Sequence, residues 1–243
     1  MPRPIVVIPA RMAAQRLPGK PLADIGGLPM IVRALRQAEA ANVGPVAVAA
    51  GDPEIVEAVK AHGGRAVLTD PALPSGSDRI RAALPELDPE GRHDLVINLQ
   101  GDMPLIEPET IRALVGLFED QPGLEMGTLV APEASIADRT NPDVVKAILV
   151  LAREARQGRA LYFTRSTLYG EGPIWRHIGL YGYTPAALDV MTSGLPTALE
   201  RREKLEQLRA LELGVEIWAA IVDQAPISVD NPADLEAARA AVR

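Results

Sequence analysis

The residues with the clearest chemical potential are four cations near the start of the chain. Arg3, Arg11, Arg16 and Lys20 fall in an opening segment with no acidic side chain, although the whole chain has a formal charge of -7. Three of them lie in the loop PARMAAQRLPGKPL, which follows the apolar run at 4–8. A local positive pole in an acidic protein indicates a small polyanionic ligand. We therefore interpret this segment as a phosphate-binding loop.

The loop matches neither of the common glycine-rich phosphate motifs. Gly19-Lys20 lacks the earlier glycine and the following Ser or Thr of a Walker loop, and no G-x-G-x-x-G follows the first apolar run. In a parallel sheet, however, the loop after the first strand lies at the carboxyl edge, where ligands bind. We expect backbone amides at 9–20 to face a nucleotide, with Arg11 and Lys20 reaching its phosphates. The alternative is that these are solvated loop cations.

Two aspartates follow strand-like segments and could hold a divalent cation. In the segment NLQGD an apolar run ends in an amide, then Gly101, which permits a sharp turn, and Asp102. Asp230 also follows an apolar segment and precedes a helical one. Hard cations prefer one or two protein carboxylates together with phosphate oxygens. Each aspartate has an ordinary alternative, a turn for Asp102 and a helix cap for Asp230, although Asn231 could provide that cap alone.

Composition excludes several classes of function. The 243 residues are 47% hydrophobic, which supports a sizeable core, and the acidic balance with a pI of about 5.1 argues against nucleic acid as a partner. Without cysteine there is no disulfide or thiolate chemistry. No apolar run approaches the ~20 residues of a membrane span and no signal sequence is visible. We expect a cytoplasmic protein that binds neither membrane nor nucleic acid.

Short apolar runs alternate with helical patterns along the chain. Because each run is apolar on successive residues, the pattern favours a buried, largely parallel sheet. The first half reads as βαβαβ, so we predict an α/β fold with a doubly wound, mostly parallel, Rossmann-like sheet. The predicted strands are 4–8, 45–50, 65–69, 94–99, 126–131, 144–151 and 215–222.

Capping residues indicate where helices begin and end. Asp52-Pro53-Glu54 supplies an N-cap, an N1 proline and an early acid, and Gly63-Gly64 ends that helix. Asn231-Pro232-Ala233-Asp234 has the same order before the last helix. A further helix, rich in Glu, Arg and Leu, is predicted at about 199–213.

Most aromatic side chains of the chain lie within one segment. We interpret residues 155–195 as a smaller aromatic-rich lobe of strands and loops that completes a pocket or a subunit interface. No repeat, low-complexity tract or linker is visible, so we predict a single domain over residues 1–243. The aromatics concerned are Tyr162, Phe163, Tyr169, Trp175, Tyr181 and Tyr183.

Eight segments occur in the order and at about the spacing of one enzyme family. They are IPARMAAQRLPGKPL, SGSDRI, NLQGDMP, NPDVVKAI, ALYFTRS, RHIGLYGY, LEQLRAL and VDNPADLE. On these segments the chain resembles the CMP-Kdo synthetases, the 3-deoxy-manno-octulosonate (Kdo) cytidylyltransferases of lipopolysaccharide synthesis. They belong to the sugar nucleotidyltransferase superfamily, whose nucleotidyltransferase-like fold is then expected. CMP-sialate synthetases share the opening loop, whereas RHIGLYGY and LEQLR point to the Kdo branch.

The resemblance implies an enzyme that converts CTP and Kdo to CMP-Kdo and pyrophosphate, with Mg²⁺ as cofactor. The anomeric hydroxyl of the sugar would attack the α-phosphorus directly, without a covalent enzyme intermediate. The matched positions imply Arg11, Lys20 and Asp102 as catalytic residues, and Asp102 and Asp230 as metal ligands. The matched nucleotide-binding positions are Ala10, Arg11, Lys20, Ser75, Arg79 and Gln100. For Ser75 and Arg79 the alternative is a purely structural one, with ordinary helix capping at Ser77 and a solvated Arg79 side chain.

The resemblance also implies a set of residues for the acidic sugar. Together they supply donors for its carboxylate and acceptors for its hydroxyls. From the residues alone, His177 could equally be a core histidine and Tyr181 a packing residue. The matched sugar-binding positions are Arg165, His177, Tyr181, Glu206 and Gln207.

Two departures from the family bear on sugar selectivity. Met103 stands where relatives carry glutamate, which removes a charge beside the expected metal ligand, and STLY at 166–169 replaces a proline-rich segment. An amino-substituted Kdo, a sialic acid or another sugar substrate therefore stays an alternative, as does a nucleotide-binding relative without turnover. The resemblance further implies a homodimer, with the lobe at 155–195 as its contact.

Overall fold

A computed structural model describes residues 1–13, 17–133, 135–169 and 172–242 of the chain. The chain forms two compact units. The first comprises Met1–Arg112 and Pro226–Arg243, and the second comprises Ala113–Ala225. The predicted lobe at 155–195 falls inside the second unit.

The first unit contains the parallel sheet that the apolar runs predict. Its four main strands have the order β5-β4-β1-β6, and all of these pairings are parallel. Every residue of the first strand is buried, which explains why its sequence is apolar throughout. The strands are β1 (Pro4–Ala10), a short antiparallel pair β2 (Asp24–Ile25) and β3 (Leu28–Pro29), β4 (Val46–Ala50), β5 (Ala66–Leu68) and β6 (Leu95–Leu99).

Helices follow the strands of this sheet. They are α1 (Met30–Ala41), α2 (Pro53–Ala61), α3 (Gly76–Leu87) and α4 (Pro108–Asp120), of which only residues 108–112 belong to the first unit. As predicted, α2 has proline in its first turn and ends just before Gly63. The cap of α3 is Ser75, whose side chain accepts from the amide of Asp78, so the alternative cap at Ser77 is wrong. Ser77 is already inside the helix and is buried.

The second unit is built largely from antiparallel pairings. Its strands are β7 (Met126–Pro132), β8 (Lys146–Leu151), β9 (Gln157–Thr164), β10 (Trp175–Tyr183) and β11 (Ile217–Ile221), in the order β10-β7-β11-β9-β8. Only the β7–β11 pairing among these is parallel within the described ranges. The predicted strand at 144–151 is present but pairs in antiparallel fashion, in contrast to the largely parallel pairing that the apolar runs favour. The connection from β8 to β9 is too short for a crossover, so the two strands form a hairpin.

The helix predicted at about 199–213 is two helices. The helices of this unit are α5 (Pro185–Thr192), α6 (Ala198–Glu203) and α7 (Gln207–Glu212). The chain breaks at Lys204, which has a left-handed backbone conformation with φ of 56°. The buried side chain of Arg209 on α7 extends back to α6 and donates two 2.7 Å hydrogen bonds to the Glu200 carboxylate. That pair fixes the start of α7, where two of the expected sugar-binding residues lie.

The last helix returns the chain to the first unit. As predicted, α8 (Pro232–Ala241) is capped by Asn231, whose side chain accepts from the amides of Ala233 and Asp234. Leu235 and Ala238 on this helix pack with Ile25, Met30 and Val229 in one buried cluster. Within the described part of the chain, no helix combines the length and apolar character needed to cross a membrane.

The Arg209–Glu200 pair makes a testable contribution to stability. We predict that Glu200→Gln lowers the free energy of unfolding by about 3 kcal/mol, because it leaves a buried guanidinium without its counter-charge. Urea denaturation followed by circular dichroism measures this. The matched control is Glu216→Gln, whose partner Arg159 is exposed, and we expect a loss below about 0.5 kcal/mol. Equal losses in the two variants would contradict the assignment.

Candidate functional site

A cleft of about 840 Å³ opens in the first unit, at the carboxyl ends of β1 and β6. Ligands bind at this edge in open parallel sheets. The cleft brings together every residue expected to bind the nucleotide or the metal. Its lining includes Ala10, Arg11, Lys20, Ser75, Arg79, Gln100, Asp102 and Asp230.

The centre of the cleft is a lysine between two aspartates. Lys20 Nζ lies 2.9 Å from Asp102 Oδ2 and 3.4 Å from Asp230 Oδ1. Lys20 opens a single 3₁₀ turn, which is entered through Gly19 at φ of 69°, a conformation that glycine adopts without strain. We refer to Lys20, Asp102 and Asp230 as the charged triad. Its members come from three distant segments of the chain.

Backbone contacts fix the two aspartates beside each other. The amide of Val229 donates to the carbonyl of Asp102 at 2.9 Å, which places the next residue, Asp230, at the carboxyl end of β6. The amides of Asp230 and Asn231 donate to the side chain of Asp234. Asn231 caps α8, and the Asp230 carboxylate contacts Lys20.

The electrostatics of the charged triad favour an additional cation. Burial raises the pKa of Asp102 and outweighs the opposing effect of Lys20, while the charge of Asp230 raises the pKa further. Two carboxylates therefore face one ammonium group, and Lys20 and Asp102 are largely buried whereas the Asp230 side chain is exposed. No cluster of three or more His, Cys, Asp or Glu suited to a metal occurs in the described ranges. The donor set fits Mg²⁺, which takes one or two protein carboxylates and completes its shell with phosphate oxygens and water.

The opening loop is tied to the end of β4. Asp52 Oδ2 accepts a hydrogen bond from the amide of Met12 at 2.7 Å, and the amide of Gly51 donates to the carbonyl of Ala10 at 2.8 Å. Asp52 does occupy the predicted N-cap position of α2, but its side chain makes no capping hydrogen bond. It holds the loop that follows β1 instead, next to Arg11.

Arg79 is buried, so the alternative of a solvated side chain is wrong. It is 2% exposed, and Nη1 donates to Thr69 Oγ1 at 2.6 Å and to the carbonyl of Asp70 at 3.1 Å. Burial and then the charge of Arg11 lower the pKa of Arg79. Its Nη2 is buried without a hydrogen-bond partner among the described residues. A buried donor left unpaired is costly, so this group is suited to a ligand acceptor.

Gly51 makes room for that guanidinium. A Cβ atom at this position would lie 2.8 Å from Nη1 and 3.0 Å from Cζ of Arg79.

Two other residues that line the cleft already make hydrogen bonds within the protein. Ser75 caps α3, and Gln100 Nε2 donates to Asn98 Oδ1 at 2.8 Å.

The five expected sugar-binding residues lie in the second unit. Arg165 follows β9, His177 and Tyr181 lie on β10, and Glu206 and Gln207 lie at the start of α7. The rings of His177 and Tyr181 are 5.4 Å apart between centroids, and the charge of Glu206 reaches Tyr181. Gln207 Nε2 is buried without a partner among the described residues.

Burial dominates the electrostatics of this second set. Burial and then the charge of Arg165 lower the pKa of His177 to about 3, so the imidazole is neutral at physiological pH. Burial, with the neighbouring Tyr183 and Glu206, raises the pKa of Tyr181. The set therefore offers the neutral groups of His177, Tyr181 and Gln207 beside the positive charge of Arg165 and the negative charge of Glu206.

Sequence reasoning missed two residues that hold Arg165. Fully buried Lys146 donates to the carbonyls of Arg165 at 3.0 Å and Asn141 at 2.8 Å, and Glu203 accepts from the amide of Arg165 at 3.2 Å. Burial lowers the pKa of Lys146. A lysine inside the apolar run VVKAIL was a signal for such a role. Asp52 carried a comparable signal, since it follows a buried strand as Asp102 does.

Not every cation of the opening segment belongs to the cleft. Arg3 lies at the opposite end of β1 from the loop, because the whole strand separates the two positions. There its side chain pairs with Asp94 at 3.0 Å. Arg16 lies outside the described residues. Arg11 and Lys20 line the cleft.

Met103 is a core residue. Its side chain is buried, and it is absent from the described lining of the cleft. Met103 therefore contributes to the core beside Asp102 rather than to the described cleft wall.

Comparison with known proteins identifies the family. The cytidylyltransferase family model matches residues 5–217. A curated 3-deoxy-manno-octulosonate cytidylyltransferase of Rhodospirillum centenum is 57% identical over 238 residues, covering 98% of this chain and 92% of that protein. Its namesake in Parvibaculum lavamentivorans is 56% identical over 240 residues, covering 98% and 92%.

A solved structure agrees with these sequences. A CMP:2-keto-3-deoxy-manno-octonic acid synthetase complexed with CTP matches with a TM-score of 0.89 and 36% identity, covering 98% of each chain. The predicted α/β nucleotidyltransferase-like fold and the resemblance read from the motifs are both confirmed. The chain is a nucleotidyltransferase and belongs to the cytidylyltransferase family, among the 3-deoxy-manno-octulosonate cytidylyltransferases.

Proposed function

We propose that this chain transfers the cytidylyl group of CTP to Kdo and releases pyrophosphate, a step that supplies activated Kdo for lipopolysaccharide synthesis. The observation that carries the proposal is the charged triad in a cleft that also holds Arg11 and Arg79. The substrates follow from the names of the relatives. In the reaction the anomeric oxygen of Kdo bonds to the α-phosphorus, the bond to the bridging oxygen of pyrophosphate breaks, and the hydroxyl proton leaves to solvent.

Lys20 and Arg11 are the groups that would bind the triphosphate. Both line the cleft on the loop after β1, and Asp52 fixes that loop through the amide of Met12. No covalent intermediate is needed. Catalysis then rests on aligning the two substrates and on neutralising the charge that develops on the departing pyrophosphate.

Asp102 and Asp230 are the residues that would hold Mg²⁺. Their carboxylates share Lys20 Nζ, so they converge on one small volume of the cleft. The chemistry that bound Mg²⁺ would supply is neutralisation of phosphate charge and a lower pKa for the sugar hydroxyl. The two aspartates would hold the ion, and Lys20, which lies beside both carboxylates, would contribute positive charge toward the phosphates.

The nucleoside end of CTP would lie against α3 and β6. Arg79 offers its unpaired Nη2 to an oxygen of the nucleotide, and the backbone at Ala10 with Ser75 and Gln100 supplies further polar groups. Because Arg79 is held by Thr69, this donor is preorganised.

The acidic sugar would be recognised by the second set. Arg165 is the natural partner of its carboxylate, and Glu206 and Gln207 suit its hydroxyl groups. The remaining expectations belong to the same proposal. They are a single domain over 1–243, a lobe at 155–195 that covers the sugar and forms a homodimer contact, and a cytoplasmic location.

A substrate panel tests the proposed function. Pyrophosphate release is measured with CTP and Mg²⁺ and with Kdo, an amino-substituted Kdo, a sialic acid or a hexose 1-phosphate as the acceptor. We predict release with Kdo. Because STLY at 166–169 directly follows Arg165 and replaces a proline-rich family segment, the other acidic sugars of the panel are alternative acceptors. Tight CTP binding without release for any sugar would contradict the proposal and indicate a nucleotide-binding protein without turnover.

The loop anchor gives a second prediction. We expect Asp52→Ala to raise KM for CTP about tenfold with a much smaller change in kcat, because it releases the amide of Met12 and loosens the loop that carries Arg11. The matched control is Glu54→Ala, an exposed acidic residue in the first turn of the same helix, which should leave KM unchanged. An unchanged KM in Asp52→Ala, or an equal rise in both variants, would show that Asp52 does not anchor the loop.

A further inference from the structure

The strand β10 is irregular where it carries the expected sugar-binding residues. Its pairing with β7 shifts register between Ile178 and Tyr181, so that Tyr181 lies opposite Thr128 and Ile178 lies opposite Leu129. Such bulges redirect side chains and are common next to functional sites. At this irregularity the carbonyl oxygens of Ile178 and Leu180 both lie within hydrogen-bond distance of one side chain of β7, that of Thr128.

One buried side chain of β7 fills this irregularity. Thr128 is fully buried, and its Oγ1 lies 3.1 Å from the carbonyl oxygen of Ile178 and 2.9 Å from that of Leu180. The same oxygen lies 3.1 Å from His177 Nε2. Thr128 thus connects the bulge to the imidazole of His177.

Counting protons at Thr128 assigns the tautomer of His177. The hydroxyl has one proton, and the carbonyl oxygens of Ile178 and Leu180 can only accept, so these two acceptors share that proton. The third neighbour of Oγ1 must then be a donor, because two lone pairs would otherwise face each other. His177 Nε2 therefore carries the proton. The other ring nitrogen, Nδ1, is left as an acceptor.

The surroundings hold the ring in this state. Phe163 packs edge-on at 5.0 Å between centroids and Tyr181 packs on it at 5.4 Å, so the imidazole is confined on both sides. The charged and titratable groups that act on this cluster are Arg165, Tyr183 and Glu206, and Arg165 disfavours a second proton on the ring. His177 Nδ1 has no hydrogen-bond partner among the residues that the structure describes.

We propose that Thr128 is a positioning residue that fixes His177 as the neutral Nε2–H tautomer and presents Nδ1 as a hydrogen-bond acceptor for a hydroxyl group of the acidic sugar. The part concerning the sugar rests on the proposed function. His177 then recognises a hydroxyl donor rather than the sugar carboxylate, which falls to Arg165. A sugar that lacks this hydroxyl would leave Nδ1 unpaired.

The tautomer is tested without substrate. Protein labelled with ¹⁵N-histidine is examined by long-range ¹H–¹⁵N NMR, and His177 is distinguished from the other two histidines, His62 and His93, with His177→Asn. We expect the neutral Nε2–H form in the wild type and in Thr128→Ser, and loss of that single form in Thr128→Val. An Nδ1–H form or an imidazolium at neutral pH in the wild type would overturn the proposal.

Kinetics test the role of Thr128 in the sugar site. Thr128→Val is expected to raise KM for Kdo about tenfold while kcat and KM for CTP change less than about twofold, and Thr128→Ser is expected to stay near the wild type. Equal KM values for Kdo in the wild type and Thr128→Val, or a Thr128→Ser enzyme as impaired as Thr128→Val, would overturn the proposal.

Two controls separate this proposal from other failures. Circular dichroism and the thermal midpoint show whether each variant folds, and if Thr128→Val does not fold, Thr128→Ser and the wild-type spectrum still decide the question. If the wild type fails to release pyrophosphate with any of the sugars in the panel, the proposed function is contradicted. The NMR result then decides by itself whether Thr128 fixes the tautomer of His177.

Discussion

The cleft depends on the convergence of Lys20 with Asp102 and Asp230. Lys20 and Asp102 lose much of their hydration, which is tolerated because they lie within ion-pair distance of each other, and the more exposed Asp230 also lies within ion-pair distance of Lys20. The placement requires the last helix to return to the first unit. Its cap, its packing in the cluster with Ile25 and Met30, and the hydrogen bond from Val229 to Asp102 set the position of Asp230.

Other contacts of the first unit serve the same arrangement. Asp52 holds the loop that carries Arg11, Gly51 leaves space for Arg79, and Thr69 orients the guanidinium. Each lies at the carboxyl end of a parallel strand, so the sheet supplies a rigid frame on which polar groups from successive loops meet. In the proposed function, a triphosphate and Mg²⁺ would bind to charges that are already in place, without rearrangement of the backbone.

Sequence patterns predicted the first unit well and the second unit less well. Buried parallel strands and capped helices have strong local signals, so β1, β4, β6, α2 and α8 were found close to their true bounds. Pairing direction in the second unit depends on the length of connections, and the break at Lys204 depends on a single left-handed residue, so neither was read from apolar runs. The sequence motifs predicted that Lys20, Asp102 and Asp230 belong to one site. They could not reveal Thr128, because its partners are backbone carbonyl groups at a bulge, which leaves no pattern in the sequence.

A double-mutant cycle on Lys20 and Asp102 tests the central claim most directly. The measured quantity is kcat/KM for pyrophosphate release from CTP and Kdo in Lys20→Met, Asp102→Asn and the double variant. Each single change should lower it by about a hundredfold or more, and the double variant should fall far short of the product of the two losses, since the groups act as a unit. Losses that multiply in the double variant would show that the two residues act independently and would contradict the account.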